Sequence, residues 1–224
     1  LLEMAHLYKS IKKMDLAERC YQLILEKNPD HSIALEKYGL LLIKLNNYQL
    51  AEEKLMQLLG TKESEKNWHA LNGLGLIKSL QGLDDQAISY FKRALEIQPK
   101  QIDMLNNMGY SLYRSERYKE AIDFYKQALA INPNNHKILF NYALLKARTK
   151  NYQTALKVFS SLMSTAEAHN DVGYIAMKNG DLDQAAYYLQ QARKLTPRFY
   201  KKANDNLQAL QLLQQKTVNH SSVQ

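Results

Sequence analysis

The chain has six histidines, His6, His31, His69, His136, His169 and His220, and one cysteine, Cys20. No two of the histidines stand four residues apart, as a helical metal site needs, and a single cysteine forms neither an intramolecular disulfide nor a cysteine-rich zinc site. No glycine-rich phosphate loop and no Ser-His-Asp arrangement can be assembled either. The sequence therefore points away from an enzyme and calls for no metal and no cofactor. What it offers is recognition chemistry. Asn72, Asn106, Asn107, Asn141 and Asn170 each carry a donor and an acceptor, so they can satisfy the N–H and C=O groups of an extended peptide without demanding a particular sequence. Tyr110, Tyr113, Phe140 and Tyr174 add rigid apolar area, and Arg114, Lys137 and Arg148 add charge.

The elements that would position these groups follow from composition and spacing. Of 224 residues, 46% are apolar, with 8 glycines and 4 prolines, a balance that favours helix and a substantial core. The net charge is +8, from 30 Lys and Arg against 22 Asp and Glu, spread along the chain as a solvated surface is rather than gathered into a tail. No apolar stretch approaches the roughly 20 residues that cross a bilayer, and the first residues are too few for a signal peptide. Because Leu1 already lies within a helical pattern, a processed signal or anchor ahead of it stays open, and so does the compartment.

Small residues recur at Ala5, Gly39, Gly75, Gly109, Ala143 and Gly173, at intervals of 34, 36, 34, 34 and 30. A second series, Ala17, Ala51, Ala87, Ala121, Ala155 and Ala185, keeps the same intervals. Four residues beyond each alanine stands a bulky one, Tyr21, Leu55, Phe91, Tyr125, Phe159 or Leu189, on the same helical face. Small must face large where two helices cross closely. Prolines at Pro29, Pro99, Pro133 and Pro197 end one helix and admit the next. Two repeats lack one: an insertion of two residues falls near Gly60 to Ser64, and a loss of four, close to one helical turn, should tighten the connection at Ser164 to Ala166. Tyr200, Ala203, Leu207, Leu210 and Leu213 give an amphipathic helix at the end.

This pattern resembles the tetratricopeptide repeat, a pair of antiparallel helices that stacks on its neighbours. The resemblance implies an all-α, right-handed superhelical solenoid of six helix-turn-helix repeats, at about 1–31, 32–67, 68–101, 102–135, 136–165 and 166–197. A capping helix over 198–216 and a disordered tail over 217–224 would follow. In this class the first helix of each pair lines the concave face. The peptide-binding groove would then hold the asparagines, aromatics and basic residues named above, together with Leu76, Leu144, Asp171 and Lys178. Tyr8, Tyr21, Tyr118, Tyr125 and Tyr142 stand instead at the repeat's own packing positions. Co-chaperones of the superfamily clamp acidic C-terminal tails with Lys and Asn. Asn107 and Lys137 suit that pattern, but Leu76 and Asn141 stand where a polar anchor and a basic residue are wanted.

Residues 170–181 (NDVGYIAMKNGD) and 195–200 (LTPRFY) are similar to the C-terminal end of bacterial tight-adherence pilus-assembly lipoproteins. That resemblance implies a scaffold on the periplasmic face of the outer membrane, with secretin or pilus-assembly components as partners. No lipidated cysteine stands near the start, since Cys20 lies within a helix, so the anchor would have been removed or never present. The expected function is a protein-protein interaction scaffold holding a polypeptide in its groove. A cytoplasmic adaptor or co-chaperone is the alternative, and a basic RNA-binding helical repeat ranks behind both.

Overall fold

The computed structural model describes residues 1–61, 66–196 and 200–221, and among them every regular element is an α-helix. The chain divides into two compact units, Leu1–Phe124 and Tyr125–Gln224. The first contains α1 (Leu2–Ser10), α2 (Met14–Lys27), α3 (Ser32–Lys44), α4 (Tyr48–Leu59), α5 (Trp68–Leu80), α6 (Asp84–Ile97) and α7 (Ile102–Arg114). The division falls within α8 (Tyr118–Ile131). The second unit continues with α9 (His136–Arg148), α10 (Tyr152–Phe159), α11 (Thr165–Lys178), α12 (Leu182–Lys194) and α13 (Lys201–Ser221). Within each unit every helix packs on the next, and first helices also touch across repeats, α3 on α5, α5 on α7 and α9 on α11.

Small faces large as the spacing predicts. A Cβ on Gly39 would sit 2.6 Å from Leu55, one on Gly75 2.6 Å from Phe91, and one on Gly173 2.7 Å from Leu189. The three bulky partners are fully buried. Filling such a notch from a flexible aliphatic or aromatic side chain gains about 1.5–3 kcal/mol per residue, which a Cβ at the glycine would undo.

Helix starts are set locally. The side chains of Asn47, Asn67, Asn135 and Asn151 accept the N–H three residues on, and Ser164 and Glu167 form a reciprocal capping box at α11. Between the two helices of each pair the chain turns through one left-handed residue. These are Lys12, Asn46, Glu116 and Lys150, with φ of 58° to 61°, and Gly82 and Gly180, with φ of 80° and 75°. The following N–H reaches back to the preceding helix, as from Lys13 to the Tyr8 carbonyl at 2.8 Å and from Arg117 to the Leu112 carbonyl at 2.9 Å.

The four residues missing near 160 are not taken from the Ser164 connection. They shorten α10, which has 8 residues where α6 has 14, and the chain passes through a turn into the Ser164 cap. The two-residue insertion expected near Gly60 to Ser64 falls mostly outside the described residues, as do Pro197, Arg198 and Phe199. The last helix begins at Lys201 and runs past residue 216 to Ser221; residues 222–224 are outside the description. Its buried face is made by Ala203 and Leu210, with Leu207 half-buried, while Leu213, expected on that face, is exposed.

Candidate functional site

The first helices of the two units carry the recognition residues, and each unit is described separately. In Leu1–Phe124, Asn72 sits on α5, and Asn106, Asn107, Tyr110, Tyr113 and Arg114 on α7. Three-residue spacing puts Tyr110 and Tyr113 on one face, where their rings stack with centroids 6.4 Å apart. Tyr113 is braced from behind by Tyr118 at 6.0 Å, and the Arg114 guanidinium lies 5.9 Å from the Tyr110 ring centroid.

Arg114 is more than a free charge. Its Nη1 donates to the Ser79 carbonyl at 2.8 Å and its Nε lies 3.2 Å from Asp84 Oδ2, so it ties α7 to the end of α5 and the start of α6. Burial, the largest influence, holds the Asp84 carboxyl above its ordinary pKa despite Arg114, and Asp85 adds to the rise. The other Asp84 oxygen and the Asn72 side-chain oxygen are buried, and neither accepts a hydrogen bond among the described residues.

In the second unit, Lys137, Phe140, Asn141 and Arg148 lie on α9, and Asn170 and Tyr174 on α11. Phe140 and Tyr174 are large exposed aromatics. Phe140 rests edge-on against Phe159 at 5.4 Å, and the Lys178 ammonium lies 5.6 Å from the Tyr174 ring centroid. Lys137 is exposed and Asn141 half-buried. Arg148 donates to the Asn179 side-chain oxygen at 2.9 Å, and Asn179 donates in turn to the Ala147 carbonyl and to the Tyr152 hydroxyl.

Two of the expected groove amides do not face solvent. Asn106 is buried and donates to Asn107 Oδ1 at 3.4 Å. Asn170 is 0% exposed; it donates to Asp171 at 3.0 Å and accepts from Asn206 of α13 at 2.9 Å. Asp171 also meets Lys202 at 3.2 Å. The expectation that these amides meet a ligand is therefore revised: a buried amide must be paired within the fold, and Asn170 serves to seat the last helix.

The sequence reading missed a cleft of about 540 Å³ in the second unit, between the α9–α10 turn and α12, where Lys150, Tyr152, Asp181, Gln184 and Tyr188 converge. Burial, its main influence, raises the Tyr152 phenol above its usual pKa, and Asp181 reinforces this while the hydrogen bond from Asn179 opposes it. No motif announces this cleft, because its walls come from turns of successive repeats. Among the described residues no group of three or more His, Cys, Asp or Glu converges to hold a metal ion, and no helix is long and apolar enough to cross a membrane.

Comparison with known proteins agrees with this architecture. Sequence models of the tetratricopeptide repeat match residues 2–62, 68–134, 112–172 and 166–199. Superkiller protein 3 of Schizosaccharomyces pombe is 28% identical over 117 residues, a stretch that is 50% of this chain and 8% of that protein. The structure of YrrB, described as a tetratricopeptide-repeat protein with an unusual peptide-binding site, superimposes with a TM-score of 0.66 at 19% identity, covering 84% of this chain and 97% of that one. PilW, a widely conserved type IV pilus biogenesis factor, gives a TM-score of 0.58 at 21% identity, covering 80% and 88%. At such identities the two structures share the fold alone. With its repeat spacing, its paired helices and four matching repeat models, the chain belongs to the tetratricopeptide-repeat superfamily.

Proposed function

We propose that this chain is a scaffold that holds another polypeptide against the exposed aromatic residues of its first helices. The observation that carries this reading is Tyr110, exposed and already stacked on the half-buried Tyr113 with Arg114 beside it, an anchor ordered before any partner arrives. Phe140 and Tyr174 give the second unit exposed aromatics of the same kind. The tetratricopeptide fold supports protein-protein interaction in general, and likeness to YrrB supports a peptide as ligand. Likeness to PilW, together with the pilus-assembly resemblance of residues 170–181, favours secretin or pilus-assembly components as the partner. A cytoplasmic adaptor or co-chaperone is the competing role for the same surfaces.

Capture on immobilised protein tests this. Tyr110→Ala combined with Tyr174→Ala changes exposed side chains and should leave the fold within about 0.5 kcal/mol of the parent. It should abolish capture of the specific partner seen with the parent chain. A double variant that keeps its helical signal and captures the same partner equally well sinks the aromatic-anchor reading. The identity of the captured protein then chooses between pilus assembly and a cytoplasmic role. Oligonucleotide binding at low salt, falling steeply as salt rises, would favour nucleic acid instead.

A further inference from the structure

We propose that the cleft between the α9–α10 turn and α12 binds a guanidinium group, recognised by Asp181 and Tyr188 and supplied by an arginine side chain of a bound polypeptide. The polypeptide as source rests on the function proposed above; the site itself stands without it. At about 540 Å³ the cleft lies within the usual range of ligand pockets, about 300–1,000 Å³. Its aromatic wall is made by Tyr152 and Tyr188, 6% and 5% exposed, which pack edge-to-face at 6.0 Å. The Tyr188 hydroxyl has no hydrogen-bond partner among the described residues, yet it is not sealed from solvent, so it opens on the cleft as an unused polar group. A hydroxyl set so deeply is stabilised by pairing, and a ligand in the cleft can provide it.

The second helices of the repeats are preceded by Lys13, Asn47, Leu83, Arg117, Asn151 and Asp181, and of these Asp181 alone is acidic. Unlike Asn47 and Asn151, it makes no side-chain bond to the helix it precedes. Its carboxylate is engaged instead by the Tyr152 hydroxyl, which accepts from Asn179 Nδ2 at 3.2 Å and so has its proton free for Asp181. One hydroxyl proton uses only a fraction of a carboxylate's acceptor capacity, and the rest is available in the cleft that Asp181 lines. Lys150 also lines the cleft, but it is exposed, makes no ion pair with Asp181 and can swing its flexible stem into solvent. The charge held in place is therefore negative, which selects a cation over an anion. Among cations, a guanidinium fits better than an ammonium. Its planar fork pairs with the carboxylate and still directs N–H groups to the Tyr188 oxygen and to the amide oxygens of Gln153 and Gln184 at the rim. The buried tyrosine rings beside Asp181 lower the local dielectric and strengthen the pair.

Blocked arginine, N-acetyl-arginine methylamide, is titrated into the whole 224-residue chain, isotope-labelled, and the backbone amide shifts are followed. Saturable shifts are expected at residues 150–153 and 181–188, in the millimolar range that a single side chain reaches. Asp181→Asn keeps an oxygen for Tyr152 and should weaken binding about tenfold or more, and Tyr188→Phe about fivefold. Each variant is checked for an unaltered helical signal and thermal midpoint; Tyr188→Phe removes a hydroxyl that makes no bond among the described residues. Absence of saturable shifts overturns the proposal, and so does equal binding of blocked citrulline, the neutral isostere, or of blocked lysine. Saturable shifts of the same amides with sodium acetate, lost in Lys150→Ala, would make this an anion site and overturn it too. The combined Tyr110→Ala and Tyr174→Ala variant should bind blocked arginine as the parent does; loss there would place the cation on the exposed tyrosines instead. Asp181→Asn should also lower capture of the polypeptide partner, and undiminished capture overturns the polypeptide as source. Blocked arginine needs no partner, so failure of the cleft and failure of the scaffold reading are told apart.

Discussion

The first and last helices, α1 and α13, treat solvent in opposite ways. Helix α1 exposes Leu1, Met4, Leu7 and Ile11 at positions that are buried in α3 and α5. Helix α13 buries Ala203 and Leu210 and turns mainly Lys, Asp and Gln outward, with Leu212 and Leu213 as exceptions. It is also held by polar bonds, Asn206 to Asn170 and Lys202 to Asp171. The contrast teaches that a repeat's packing face is written into the register of its first helix, whereas α13 follows a different pattern.

The largest expected effect compares one register position in two settings. Leu74→Ala, in the covered helix α5, should cost about 2–5 kcal/mol in thermal or urea unfolding. Met4→Ala, at the same position of α1, should stay within about 0.5 kcal/mol. Equal costs would mean that α1 is covered in solution and would end the contrast. At the other end, Asn206→Ala leaves the buried Asn170 oxygen without its donor and should cost about 1–3 kcal/mol, measurable as faster amide exchange across α13. A neutral result would reduce the seating of α13 to apolar contact alone.

A smaller effect asks whether the difference between the ends reaches the turns. Lys12→Gly, after α1, and Glu116→Gly, inside the chain, both relieve a left-handed non-glycine residue, and each should stabilise by about 0.5–1 kcal/mol. Unequal gains would show that the strain is set by packing and not by the local turn. The smallest effect concerns Glu36 of α3, whose place in α1 is taken by Leu2. Burial alone would raise the Glu36 pKa, but hydrogen bonds from Asn67 and Lys37, with Lys37 and His69 nearby, bring it below the usual value. A depressed folded pKa stabilises above the ordinary glutamate range and loses that contribution as pH falls through the folded value. Glu36→Gln should therefore flatten the acid side of the stability profile, and an unchanged slope would remove Glu36 from the α3–α5 junction.

Of the candidate site, the aromatics were more legible than the amides. Tyr110, Phe140 and Tyr174 stand exposed on first helices as their register implies. Asn106 and Asn170 share that register and are nonetheless buried. Spacing reports which side of a helix a residue occupies, but not whether a neighbouring helix has closed over it. For Asn170 the closing element is α13, whose polar residues hold no repeat signal. Arg114 and Arg148 were readable as positive charge, yet their hydrogen bonds to Ser79 and Asn179 depend on residues more than thirty positions away.

The sequence by itself determined the helix pairing, the register and the small-to-large crossings. A 34-residue period fixes which residues share a face, and only Gly or Ala admits a Phe or Leu at the crossing. It also placed the shortening near residue 160, though not within α10. Tertiary structure alone decided the left-handed turn residues, since Lys, Asn and Glu occupy a conformation that residue type would assign to glycine and the reaching-back hydrogen bond holds them there. It alone decided the burial of Asn170, because that depends on which helix lies next in space, and periodicity is silent about what a face meets.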